Sequence, residues 1–161
     1  MKNSFCLIVI VASLFILSFA QCKKDVLPEF HFRCKVDGQD YRPNGCTNCI
    51  TCTILGDTIF LLGGNRGFET LGMGIRDLNG ITKGAYNLNE IRGRKADYKN
   101  SIIVDDRYFT DANHVGKLEI TSVDKQINII SGTFFFNAYN SYRRDTVIIT
   151  EGKFRLKYTT N

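Results

Sequence analysis

Hydrophobic and polar residues alternate along most of the chain from residue 30 onward. In the segment 153–158, for example, every second residue is apolar and each residue between them is basic. A period of two indicates a half-buried antiparallel strand, because successive side chains of a strand point to opposite faces. The pattern predicts strands at 30–36, 50–55, 57–63, 69–76, 84–88, 101–105, 116–123, 126–138 and 145–158. The best place for a short helix is Asn89–Lys99.

Turns that contain glycine separate these apolar runs. Asp37-Gly38, Gly56-Asp57, Asn79-Gly80 and the segment Gly63–Gly67 tolerate the positive φ angles that tight connections between strands need. The predicted fold class is therefore all-β, an antiparallel β-sandwich or open barrel of about 8–10 short strands.

The predicted strand at 126–138 has apolar residues on both of its faces. One row of this strand comprises Ile130, Gly132, Phe134, Phe136 and Ala138. Ile129, Phe135 and Tyr139 fall on the opposite side, which predicts that the strand is covered on both faces. The alternating Phe residues are predicted to be core, and Gly132 marks a position where a bulge or a close contact is needed.

The first 21 residues have the composition of a secretory signal. Lys2 is their one charged residue, and the run Phe5–Ala20 contains only two polar side chains. A membrane-spanning helix needs about 20 such residues, but the early start of the run and the small residues at its end favour a cleaved signal. The segment Leu17–Cys22, which overlaps the end of this run, resembles the lipobox of bacterial lipoproteins. In a lipobox the cysteine becomes the acylated first residue of the mature chain. Gln21 stands where such sequences usually have Gly, Ala or Ser.

We therefore predict a lipoprotein signal peptide at 1–21, a lipidated N-terminus and tether at 22–29, and a single β-domain at 30–161. Acyl chains such as palmitate on Cys22 would hold the domain at a membrane of the cell envelope, the outer rather than the inner one. A plain secretory signal, or an uncleaved anchor with Cys22 incidental, is the alternative. Cleavage leaves 140 of the 161 residues and lowers the net charge from +5 to +4 with the loss of Lys2. That length suits one domain and is too short for two independent enzyme domains.

The cysteine count changes with this processing. Of six cysteines, Cys6 is lost with the leader and Cys22 is acylated, so Cys34, Cys46, Cys49 and Cys52 remain. Four cysteines in an exported domain predict disulfides and allow three connectivities. The preferred partner of Cys34 is one of the other three, which would close a loop of a dozen or more residues.

A cysteine-dependent metal or redox module centred on Cys46, Cys49 and Cys52 is the alternative. The four thiolates are a conceivable zinc set, although such a site suits a reducing compartment better than an exported one. A redox Cys-x-x-Cys normally opens a helix, whose N-terminus lowers the thiol pKa. Here the residues after Cys49 have the pattern of a strand.

No catalytic constellation is visible in the sequence. His31 and His114 are the only histidines, and no serine lies in a G-x-S-x-G elbow. Asp106, Asp111, Asn113 and the neighbouring Asp105 form an oxygen-rich segment that is interpreted as a solvated turn, with calcium as the alternative. We therefore predict a protein that is not an enzyme and that needs neither a metal nor a cofactor.

The loop between the last two predicted strands carries the best candidate ligand-binding residues. Tyr139, Tyr142, Arg143 and Arg144 lie in or beside it, and exposed tyrosine and arginine suit recognition of sugars or proteins. The predicted function is a non-enzymatic binding or structural role. The predicted partners are a membrane, through the lipid anchor, and a glycan or an envelope protein, but no nucleic acid.

A series of short motifs resembles a known family. The motifs are Phe32-x-Cys34-x-Val36-Asp37-Gly38, Gly116-x-Leu118-x-Ile120-Thr121, Ser131-Gly132-Thr133-Phe134-x-Phe136-x-Ala138 and Val147-x-Ile149-Thr150-x-Gly152-x-Phe154. Together they resemble the DUF6252-like group of small Bacteroidetes lipoproteins of unknown function, over most of residues 30–158 and with Cys46–Cys52 outside the likeness. The resemblance implies a β-fold and an envelope location. It brings no catalytic residue and leaves the activity open.

Overall fold

The computed structural model describes residues 29–44, 48–102 and 106–160. The regular structure of these residues consists of strands and one short 3-10 turn at Ile91–Gly93, so the all-β prediction is confirmed. The strands are β1 His31–Val36, β2 Gln39–Tyr41, β3 Ile50–Leu55, β4 Ile59–Arg66, β5 Glu69–Arg76, β6 Gly84–Leu88, β7 Lys95–Lys99, β8 Arg107–Phe109, β9 Gly116–Asp124, β10 Ile129–Asn140, β11 Asp145–Lys157 and β12 Thr159–Thr160. No helix within the described ranges is long and apolar enough to cross a membrane.

Several sequence predictions fall on the rest of the chain. The signal segment 1–21, Cys22 with the tether as far as residue 28, Cys46 and Asp105 all lie outside the described residues.

All described strands belong to one mixed sheet. The order along it is β12-β3-β4-β5-β7-β8-β10-β11-β1-β2, with β9 beside β10 and β6 beside β9. The strand pairs are antiparallel except for β12, which runs parallel to β3. The sheet forks at β10, because this strand pairs with β9 over Ile129–Phe136 and with β8 at Tyr139.

The sheet curls around a single core. Phe60 on β4 packs against Phe154 on β11 with ring centroids 6.1 Å apart, although these strands are not neighbours in the sheet. Alternate side chains of nearly every strand point inward, and the apolar core residues lie between Phe32 and Tyr158. The described part of the chain therefore closes around one core of its own residues.

Gly132 confirms the predicted need for a bulge or a close contact. The register between β9 and β10 shifts between Ser131 and Gly132. A Cβ atom at position 132 would lie 2.3 Å from the carbonyl oxygen of Glu119 and 2.7 Å from the ring of Phe154. Both distances are far below van der Waals contact, so only glycine fits between the two strands here.

A polar network fixes the hairpin of β4 and β5 to its neighbours. The hydroxyl of Tyr41 donates to the carbonyl oxygen of Gly64 at 2.7 Å, and the guanidinium of Arg66 lies over the Tyr41 ring. Glu69 accepts hydrogen bonds from Arg66 and from the hydroxyl of Tyr98. The hydrogen bond from Arg66 lowers the pKa of Glu69, despite an opposing effect of burial. The hairpin is therefore held to β2 and β7 by side chains as well as by packing.

Five short elements differ from the sequence prediction. The predicted helix at Asn89–Lys99 is wrong, because a 3-10 turn is followed there by β7, whose Ala96 and Tyr98 point inward. The strands β2, β8 and β12 were not predicted, since two or three residues are too few to display a period. Of the predicted strand 101–105, residues 101 and 102 are a bend and the other three lie outside the described residues.

Two further corrections concern the end of β4 and the outer face of β10. Gly63 and Gly64 lie inside β4 rather than in a connection, and the turn falls at Gly67 and the next residue. The prediction that β10 is covered on both faces is wrong at Phe135, which is 52% exposed.

Candidate functional site

A row of directly opposed residues crosses six strands of the sheet. Its members, from β3 to β10, are Thr51, Gly63, Gly72, Asp97, Phe109 and Tyr139. Directly opposed residues point to the same side of a sheet, so these six positions share the outer face. With neighbouring strands about 4.8 Å apart, the row is about 24 Å long. It forms the axis of a depression that we call the outer-face groove.

The part of the groove over β4 and β5 is a trough with a glycine floor. Gly63, Gly72 and Gly74 leave the outer face of the two strands without side chains, and the trough has a volume of about 410 Å³. Leu61 stands at one side and is 37% exposed. Asp97 stands at the other, with Oδ1 3.1 Å from the place where a Cβ atom of residue 72 would lie. Asp97 and Leu61 therefore partly cover Gly72 and Gly74, and the three glycines of the floor remain half-buried rather than buried.

An ion pair joins the trough to the next part of the groove. Nε and Nη2 of Arg107 donate to Oδ2 of Asp97 at 3.1 and 3.0 Å. Burial raises the pKa of Asp97, although the neighbouring Arg107 acts in the opposite direction. The guanidinium of Arg107 also lies 5.1 Å from the centroid of Phe109. Arg107 and Lys95 line both parts, so the groove is continuous.

The second part of the groove is an aromatic cleft of about 550 Å³. Three aromatic side chains line it: Phe109 is 40% exposed, Tyr142 is 77% exposed, and Tyr139 is half-buried. Glu90 and Asp111 add carboxylates to the lining. The cleft therefore combines exposed ring faces with both hydrogen-bond donors and acceptors.

The ring of His114 stacks against the ring of Tyr139 beside the aromatic cleft. The two rings stack with centroids 4.8 Å apart and planes inclined by 7°. Asp111 holds the histidine, because its Oδ1 lies 2.9 Å from Nδ1 of His114 and accepts the backbone N–H groups of Asn113 and His114. Burial acts to raise the pKa of Asp111, but these hydrogen bonds outweigh it and lower the value.

The carboxylates of the predicted oxygen-rich segment that the structure describes are engaged by hydrogen bonds within the protein. Asp111 is engaged by its own turn, and Asp106 accepts a hydrogen bond from Arg143, which lowers the pKa of Asp106. Within residues 29–44, 48–102 and 106–160, no three His, Cys, Asp or Glu side chains are placed to hold a metal ion.

Two of the four binding residues predicted in or beside the loop between β10 and β11 line the groove. Tyr139 and Tyr142 line the aromatic cleft. Arg143 is instead turned onto Asp106, and Arg144 occupies the turn itself with φ 58°. Asn140 shapes the loop, since its side-chain oxygen accepts the backbone N–H groups of residues 142 and 143 at 2.9 Å.

The cations and one aromatic ring of the groove were missed by sequence reasoning. Lys95, Arg107 and Phe109 belong to β7 and β8, which the sequence pattern did not predict. The triplet Arg107-Tyr108-Phe109 does alternate, but three residues do not reveal which side of the sheet faces solvent. The sequence signal that was available is the glycine pair Gly72 and Gly74, interpreted only as part of a strand.

The cysteines do not follow the predicted pairing. Cys34 and Cys52 are free and buried, so the predicted disulfide from Cys34 to one of the other three is wrong. Their directly opposed partners in the sheet are Tyr41 and Leu62, so no cysteine of the described residues faces either thiol across a strand pair. Cys49 is not a free thiol.

Burial also determines the chemistry of these two thiols. It raises the pKa of Cys34 to about 12 and that of Cys52 to about 12. A reactive thiol needs the opposite, a lowered pKa and access to solvent. Cys52, one of the three cysteines of the alternative metal or redox module, therefore lacks the environment of a nucleophile or redox thiol.

These features define a small all-β domain with an elongated groove on its outer face. The family model for DUF6252, a domain of unknown function, matches residues 29–156, and the chain belongs to this family. The matched range includes residues 46–52, which the likeness of individual motifs left out. Neither the curated proteins nor the solved structures contain a match to the chain.

Proposed function

We propose that this member of the DUF6252 family is a lipid-anchored protein of the cell envelope that binds a glycan in the outer-face groove without chemically changing it. The apolar leader and the lipobox-like segment ending at Cys22 support the anchor. The outer membrane is the location we propose. An envelope protein bound in the same groove is the alternative partner.

The observation that carries the glycan assignment is the composition of the groove. Exposed rings of Phe109 and Tyr142 offer flat faces to the C–H faces of sugar rings. Lys95 and Arg107 donate hydrogen bonds and Glu90 accepts them, as recognition of sugar hydroxyls requires. The groove therefore combines apolar contact area with a few polar groups, which is the usual composition of a ligand site.

The shape of the groove favours an extended glycan over a single sugar. The row along its axis is about 24 Å long, and the aromatic cleft occupies only one end of it. The glycine floor lets a chain approach the backbone of β4 and β5 closely. A linear polymer can thus contact rings at one end and backbone groups at the other.

The anchor is tested by metabolic labelling with a fatty-acid analogue. We expect the wild-type chain to be labelled and Cys22→Ala to remain unlabelled, because position 22 is the acylated cysteine. Cys6→Ala is the matched control and should keep the label, since residue 6 lies inside the leader. Equal labelling of wild type and Cys22→Ala would refute the anchor.

The groove is tested by affinity electrophoresis in gels containing soluble glucans, mannans or glycosaminoglycans. We expect at least one polysaccharide to retard the wild-type domain, and Tyr142→Ala to bind it about 3- to 10-fold more weakly, as the loss of one aromatic contact implies. Phe68→Ala is the matched control, because Phe68 is 72% exposed but lies in the turn after β4, outside the groove.

Three outcomes would contradict this assignment. Equal loss of binding in Phe68→Ala and Tyr142→Ala would show that binding does not depend on the groove. Capture of one envelope protein in a Tyr142-dependent manner, with no retardation by any polysaccharide, would favour the alternative partner. Release of reducing ends from a polysaccharide that retards the domain would show that the protein hydrolyses this polysaccharide rather than only binding it.

A further inference from the structure

A second surface of the domain, distinct from the groove, is strongly basic. The basic outward side chains of β1 and β11, together with the arginine that follows β2, are His31, Arg33, Lys35, Arg42, Lys153, Arg155 and Lys157. We call this surface the basic face. We propose that the basic face docks the domain onto an anionic membrane surface.

The pairing of the strands concentrates this charge. Arg33 is directly opposite Lys153 in the pairing of β1 with β11. Like charges in directly opposed positions destabilise a sheet pair. An anionic surface laid against β1 and β11 would offset the repulsion between Arg33 and Lys153.

Cations outnumber carboxylates on the basic face. The pocket on this face is lined by four lysines and arginines and by two carboxylates, Asp40 and Glu151. Glu151 pairs with Lys35 at 2.7 Å. Arg155 and Lys157 continue the row of cations along β11. The face therefore carries an excess of positive charge, which attracts a polyanionic surface.

The position of the basic face favours a membrane over other polyanions as its partner. The face includes β1, the strand that the chain enters first after residue 29. If Cys22 is acylated, the seven residues from there to Glu29 reach at most about 25 Å, so β1 stays near the headgroups; this step rests on the anchor in the proposed function. Two exposed aromatic side chains accompany the face, Phe30 at 47% and Phe135 at 52% exposure. Basic side chains with neighbouring Phe are typical of surfaces that lie on a bilayer.

Docking through this face leaves the groove available. None of the seven residues of the basic face lines the trough or the aromatic cleft. A membrane-bound domain can therefore hold its glycan without displacing the bilayer, and the two interactions can be measured separately.

The test is co-sedimentation of residues 23–161 with vesicles, since the described part of the chain closes its own core. One vesicle type contains phosphatidylethanolamine and phosphatidylglycerol, and the other contains phosphatidylcholine alone. We expect binding only to the anionic vesicles, with loss of binding between about 0.05 and 0.5 M salt. Lys153→Glu with Arg155→Glu should weaken that binding by about 30-fold or more, given the contribution of each basic residue near an anionic surface.

The matched control is Lys83→Glu with Arg92→Glu, which changes the net charge equally at exposed positions outside the basic face. It should bind within about 3-fold of wild type, because those charges do not reach the bilayer. Equal weakening by both double variants, equal binding to both vesicle types, or binding to polyphosphate but not to vesicles would overturn the proposal. The acyl chain is absent from this segment, so failure of the anchor and failure of the basic face give different results.

Discussion

Gly132→Ala is expected to lower the free energy of unfolding by about 3 kcal/mol, because the added methyl group has no space and forces β9 and β10 apart. The Cβ atom would lie 2.3 Å from the carbonyl oxygen of Glu119, a backbone atom of the neighbouring strand. A backbone atom cannot rotate away as a side chain can. Urea unfolding followed by far-UV circular dichroism measures the change.

Gly84→Ala provides the control for this substitution. Gly84 also lies in a strand, but the nearest atom to its added Cβ would be Cε2 of Tyr86 at 4.0 Å, an ordinary contact. We expect the free energy of unfolding to stay the same or to rise by up to about 1 kcal/mol, because alanine restricts the unfolded chain. Similar destabilisation by the two substitutions would show that the contact between Gly132 and β9 does not determine the result.

Phe136→Ala is expected to lower the free energy of unfolding by about 3–5 kcal/mol, the usual result of removing a large side chain from a core. Phe136 is fully buried, and its Cβ atom lies 2.2 Å from where a Cβ of Gly116 would be. Phe136 is directly opposite Gly116 of β9 and Ile149 of β11, so hydrogen-bonded strands on both sides limit the collapse of the cavity left by the ring. The same urea titration measures this effect.

Phe135→Ala is the matched control one residue away. Its side chain points to the outer face of β10 and is 52% exposed. We expect a change within about 0.5 kcal/mol, as for most surface substitutions. A loss at Phe135 as large as at Phe136 would mean that the outer face of β10 is covered in solution.

Much of the sheet could be predicted because its long strands alternate over many residues. The sequence predicted eight strands to within three residues at each end, namely β1, β3, β4, β5, β6, β9, β10 and β11. Each has one face on the core, and burial of that face requires a period of two. β7 was missed because its alternation is carried by only Ala96 and Tyr98 among charged neighbours. β8 and β2 are shorter still.

The groove could be predicted only in part. Tyr139 and Tyr142 stood out as polar aromatic residues at the end of a strand, and both line the aromatic cleft. Arg143 stood out for the same reason, yet its guanidinium is bound to Asp106, a contact between residues far apart in the sequence. Arg107 and Lys95 have no local pattern that distinguishes them from other surface cations.

The sequence alone determined the class of the fold, the inward rows of its long strands and the tight site at Gly132, because these depend on local periodicity and on the absence of a side chain. It also carries the leader and Cys22, on which the proposed anchor rests. The burial of the Cys34 and Cys52 thiols and the common outer row of Gly63, Gly72, Asp97 and Phe109 became visible only in the folded chain. Strand order and register bring distant residues side by side, and neither follows from the period of a single strand.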